Sequence, residues 1–108
     1  MTPREMTDDA LDAEIAMAMA TSAKDPFALA LAVQGQRIPS PTRDPAARDG
    51  VAAWLAKDGS AVSIVFFVRS ATARIHRPNG RPVVVNAPTP GRALAEAAVA
   101  FLRARGAK

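Results

Sequence analysis

From Thr7 to Ala20 the apolar positions recur on one helical face. Leu11, Ile15 and Met19 fall four apart, with Ala10, Ala13 and Met17 beside them, which predicts a helix over 8–20. Thr7 is a suitable N-cap, and Asp8, Asp9 and Asp12 place negative charge on the first turn, where the helix dipole favours it. Asp25-Pro26 offers a second capped start and Gly35 a stop. Between them Phe27, Leu29, Leu31 and Val33 alternate with other residues at the strand period. Alanine is poor in strands, so the capped start favours helix over 26–34, with strand left open.

Residues 35–45 hold Gly35, Pro39, Pro41 and Pro45 and read as an extended loop. Asp44-Pro45 opens a further helix with Val51, Trp54 and Leu55 on one side and Gly59 as a left-handed stop. Gly50 weakens the middle of that helix by roughly 1 kcal/mol relative to alanine.

Beyond Gly59 the period changes to two. Val62, Ile64, Phe66 and Val68 alternate with Val65 and Phe67, so both faces of 61–68 are apolar, the pattern of a central strand. In 72–77, Ala73 and Ile75 share one face, and Thr72, Arg74 and His76 the other. Arg77-Pro78-Asn79-Gly80-Arg81 has the proline, asparagine and glycine of a tight hairpin turn. Pro82–Asn86 is the return strand, and Pro82 marks it as an edge. Thr89-Pro90 opens the last helix, with Leu94, Ala98, Phe101 and Leu102 as its buried stripe and Gly106 as its stop.

The order α-α-α-β-β-β-α predicts an α+β fold: N-terminal helices, a three-stranded antiparallel meander over 61–86, and a C-terminal helix packed on the sheet beside the helix of Trp54. At 108 residues this makes one small domain, 1–108, with 1–6 and 106–108 as flexible ends. The expected core is short: Leu11, Ile15, Phe27, Leu31, Val51, Trp54, Leu55, Val62, Ile64, Phe66, Ile75, Val84, Leu94, Phe101 and Leu102. Much of the 49% hydrophobic share is alanine, so further burial against a partner, a second copy included, is expected to help.

Composition then narrows the chemistry. With no cysteine, disulfides and thiolate metal sites are excluded. The acidic N-terminus is unlike a signal peptide, and no apolar run approaches a membrane span, so a cytoplasmic location is expected, with no membrane partner. Eleven arginines against three lysines, with abundant alanine, suit a GC-rich bacterial or phage genome. Charge is segregated: residues 1–36 carry a net −4 and residues 37–108 a net +8. Such a split suggests a polyanionic partner, or an acidic helix lying against a basic body.

Catalysis has little to work with. His76 is the sole histidine, and tyrosine is absent. Flanked by Arg74 and Arg77, His76 could serve a small ribonuclease-type toxin as general base. An exposed histidine on a hairpin is more often a surface residue or a phosphate contact. Scattered carboxylates match no metal-ligand spacing, and no glycine-rich phosphate loop is present. The expectation is therefore a protein that is not an enzyme and has no catalytic residues, no cofactor and no metal.

What remains is a binding surface. Arg69, Arg74, His76, Arg77 and Arg81 cluster along the hairpin, and Arg92 and Arg103 lie on the last helix with Arg105. Together they predict contact with nucleic acid or a nucleoprotein, although a solvated sheet face in an arginine-rich proteome would give the same cluster. In element order the chain resembles a winged helix, with 45–57 as recognition helix and 68–84 as wing. It departs from that family in its long proline-rich loop before the helix. Three strands followed by a helix also resemble a double-stranded-RNA-binding domain, whose basic start of the last helix is reduced here to Arg92. The alternative is a phage or mobile-element accessory protein that inhibits a host defence complex by protein–protein binding.

Overall fold

A computed structural model describes residues 2–21, 40–57, 59–77 and 80–106. One 3-10 turn, Pro3–Glu5, leads into helix α1 (Asp8–Thr21). Helix α2 (Pro45–Ala56), strands β1 (Ala61–Phe66), β2 (Ala71–His76) and β3 (Val83–Ala87), and helix α3 (Pro90–Gly106) follow. The element expected over 26–34 lies outside the described residues, as do Pro78 and Asn79 of the hairpin turn.

Each helix starts where the capping residues place it. The Ala10 N–H donates to Thr7 Oγ1 (3.1 Å), Ala46 N–H to Asp44 Oδ1 (3.0 Å) and Arg92 N–H to Thr89 Oγ1 (3.2 Å). Gly59, past the end of α2, has φ +91°, a conformation glycine adopts without strain. At the N-terminus, Thr2 and Glu5 bond each other in a capping box, and Met6 is buried.

The sheet is antiparallel in the order β1-β2-β3. Ile75 lies opposite both Val62 and Val83, and Arg74 opposite both Ser63 and Val84. Side chains alternate across the pleat, so two faces follow from this register. Val62, Ile64, Ala71, Ala73, Ile75, Val83, Val85 and Ala87 share the core face. Ser63, Val65, Thr72, Arg74, His76, Val84 and Asn86 share the other.

All three helices pack on the core side, with α3 across β2 and β3, and α1 and α2 against α3. Helix α3 is therefore central, and residues 93–99 are buried all round instead of along the expected stripe. Alanines make much of this contact: Ala71 and Ala73 of β2, Ala87 of β3, and Ala93, Ala95, Ala97 and Ala98 of α3 are all buried.

Three expectations are corrected. β1 is an edge strand, not a central one: Val65 is 52% exposed and Phe66 64%, and the run continues into Phe67 and a fully exposed Val68. Phe66 and Val84 are therefore not core, while Phe27 and Leu31 lie outside the described residues. Asp12 is more than a dipole partner. It is buried, and its carboxyl accepts from Ser40 Oγ (2.6 Å), Thr42 Oγ1 (2.9 Å) and Thr42 N–H (3.2 Å), tying the 40–44 turn to α1.

Candidate nucleic-acid interface

The arginines divide into two sets according to what the N-terminal acids reach. Arg92 is 16% exposed. It donates from Nε to Glu96 Oε2 (2.6 Å), from Nη1 to Asp8 Oδ1 (2.9 Å), and from Nη2 to the carbonyls of Pro3, Arg4 and Met6 (3.2, 3.2 and 2.6 Å). Burial works against its charge, yet the bonds to Glu96 and Asp8 prevail and raise its pKa above the ordinary arginine value. Arg103 forms a two-pronged pair with Glu14, at 2.9 Å and 2.8 Å. That bond raises the Arg103 pKa and lowers that of Glu14. Arg43 meets Asp8 and Asp9, and Arg4 meets Glu96. The acidic helix does lie against the basic body. Arg92 and Arg103, expected to contact a partner, instead hold α1 and the N-terminal turn to α3.

The sheet arginines form the second set. Arg74 stands at the middle of the open face, between Ser63 and Val84, and is exposed. His76 follows two residues along the same face, half-buried, opposite Ala61. Beside Arg74, Asn86 Nδ2 donates to Thr72 Oγ1 (2.9 Å) and Ser70 Oγ (3.3 Å), which fixes a polar row across the strands.

Arg69 is exposed in the β1–β2 turn, at one end of the sheet. Arg77 and Arg81 flank the β2–β3 turn at the other end, roughly 25 Å away at the rise of an extended chain. The Gly80 N–H donates to the Arg77 carbonyl (3.3 Å), and the Arg77 guanidinium sits 5.4 Å from the centre of the Phe101 ring. This stacking orders Arg77 while leaving its charge unneutralised. Among the described residues no carboxylate forms an ion pair with Arg69, Arg74, Arg77 or Arg81.

The reason is written in the chain: from Gly59 to Ala95 there is no aspartate or glutamate. Every strand and both turns fall in that stretch, so the sheet has no acid of its own. Arg105, whose side chain lies outside the described residues, belongs to neither set. Among the described residues of the open face, no carboxylate or second histidine stands beside His76. Among the described residues no three acidic or histidine side chains gather as a metal site, and no helix is long and apolar enough to cross a membrane.

No protein-family model matches the chain, no curated protein matches it in sequence, and no solved structure matches it.

The sequence groups Arg69 with Arg77 and Arg81, which the fold sets at opposite ends of the sheet, and gives no sign that Arg92 and Arg103 are paired within the chain. The acid-free stretch alone does not separate the two sets, since Arg92 falls within it and is paired with Glu96 and Asp8; what separates them is that Arg69, Arg74, Arg77 and Arg81 lie on the sheet and its turns, away from α1.

Proposed function

We propose that the protein binds nucleic acid, free or within a nucleoprotein, through the open face of its sheet and the arginines at the two turns. The observation that carries this reading is the lack of any carboxylate between Gly59 and Ala95 in a segment bearing Arg69, Arg74, His76, Arg77 and Arg81. At the chain's overall frequency of 10 acids in 108 residues, a stretch of that length would hold about three. A face that was merely solvated would mix both signs. Here the cations carry no paired acid among the described residues: Arg74 and His76 on the open face, Arg69 and Arg81 at the turns, and Arg77 at the sheet's end, where it leans on Phe101 of α3.

Guanidinium groups pair with phosphate oxygens in a planar fork, and each phosphate neutralised releases counterions. The Phe101 ring holds Arg77 in place before binding, which reduces the ordering entropy of that contact. Ser63, Thr72 and Asn86 on the same face supply neutral hydrogen-bonding groups beside the charges.

Four phosphate contacts predict a slope of about −3 to −4 for the logarithm of the binding constant against that of salt concentration. Fluorescence anisotropy with labelled oligonucleotides across a salt series measures it. Arg74→Ala is expected to weaken binding roughly tenfold and to flatten the slope by about one, whereas Arg103→Ala, already paired with Glu14, leaves the slope unchanged. No binding at about 50 mM salt, or binding that ignores salt, sinks the proposal.

A further inference from the structure

The two edges of the sheet are built differently. In β1 the Phe67 N–H donates to the Ser70 carbonyl (2.8 Å), so residues 61, 63, 65 and 67 direct their backbone groups to β2. Val62, Ile64 and Phe66 then direct theirs outward, and among the described residues nothing pairs with them. No proline, charged residue or bulge interrupts the strand, and Val65, Phe66, Phe67 and Val68 beside it are all more than half exposed.

On β3 the same alternation turns Val84 and Asn86 outward, between Pro82 and Pro88, which have no N–H to offer. The Asn86 carbonyl is already taken by Arg4 Nη2 at 2.6 Å. One edge is closed by prolines and the N-terminal turn; the other is bare. An unguarded apolar edge is a template for another strand.

We propose that β1 pairs with β1 of a second copy, joining two sheets into one of six strands. This goes beyond the nucleic-acid reading and does not depend on it. A second copy fits for reasons of charge and symmetry. The edge from Ala61 to Val68 is uncharged, so two copies meet without repulsion. Antiparallel pairing about a two-fold axis at Ile64 sets Ile64 against Ile64 of the second copy, and Val62 against its Phe66. All three outward residues on each strand then exchange N–H and carbonyl bonds, and no group is left over. That register lays Phe66, 64% exposed, over the half-buried Val62 across the seam.

The two phenyl rings, 64% and 58% exposed, present about 250 Å² between them. With the two valines and the strand rim, the surface reaches on the order of 600 Å² a side, the low end of stable interfaces. In the joined sheet both open faces lie on one side, and the acid-free surface doubles in width.

The test begins with protein freed of nucleic acid by nuclease and high salt. In sedimentation velocity it should reach twice the 11.3 kDa chain mass in the micromolar range. The double variant Phe66→Lys/Val68→Lys, both exposed positions, should keep the wild-type circular dichroism spectrum while its dimerisation midpoint moves at least roughly 100-fold higher. Register is read by cysteines in this cysteine-free chain. Ser63→Cys/Val65→Cys should give a disulfide-linked dimer on mild oxidation, because residues 63 and 65 face each other across the seam as a non-hydrogen-bonded pair. Val84→Cys/Asn86→Cys, on the guarded edge, should not. A monomer at every concentration, a dimer that appears only with nucleic acid, a dimer indifferent to the lysines, or equal crosslinking at both edges overturns the proposal.

Discussion

Replacing Arg92 with alanine is expected to lower the unfolding free energy by about 3–5 kcal/mol, the largest loss from any single arginine in the molecule. One planar group satisfies five acceptors on three segments: Glu96 on α3, Asp8 on α1, and three carbonyls of the N-terminal turn. Truncation leaves the Glu96 side chain, 6% exposed, without its closest cation, and strips the Met6 carbonyl of its 2.6 Å donor. Removing one partner of a buried pair is costly because the other charge stays behind without water. Lysine should recover less than half of the loss, since one ammonium cannot reach all five acceptors. Urea unfolding followed by circular dichroism measures the effect, and hydrogen exchange should show the amides of Glu5 and Met6 released first. A loss below about 1 kcal/mol would mean that these bonds are exchanged for water at no penalty.

Gly91→Ala is expected to cost about 3 kcal/mol or more, a fall in melting temperature of roughly 15 °C. A Cβ at this position would stand 2.5 Å from the carbonyl oxygens of both Pro41 and Thr42. These are backbone atoms of the turn that Asp12 anchors, so neither can swing aside like the end of a flexible side chain. Gly50 gives the opposite sign from the same substitution. It lies inside α2 with nothing within 4 Å of its Cβ position, so Gly50→Ala should stabilise by about 0.5–1 kcal/mol. Thermal melts of the two variants side by side test both statements. Equal melting temperatures would show that the turn yields.

Much of the fold could be read from local chemistry. The three cap-and-proline or cap-and-acid starts at Thr7, Asp44 and Thr89, the stop at Gly59 and the alternation in β2 all report on backbone conformation within a few residues, and the structure places elements there. Two features resisted for different reasons. A continuous apolar run such as Val62–Val68 says that both sides of a strand are greasy but not what lies beside it, and here one side and one edge face outward. The arginine pairings span 84 residues from Asp8 to Arg92 and 89 from Glu14 to Arg103. No local pattern encodes such a distance, so α3's arginines looked as free as those of the hairpin. The buried Asp12 is hidden in the same way: its partners Ser40 and Thr42 come from a different turn, and in sequence it reads as one more acid on a first turn.

The seam between α3 and the sheet has a further implication. Ala71, Ala73 and Ala87 of the sheet and Ala93, Ala97 and Ala98 of α3 are all buried in the layers that meet around α3. Close-packed interiors resist even one added methylene. Most cores drift through exchanges among leucine, isoleucine, valine and methionine that conserve volume. Alanine has no such isosteres: glycine loosens the backbone and anything bulkier wedges the layers apart. Mutational drift in this protein should therefore concentrate at outward-facing positions, which leaves the innermost layer nearly frozen.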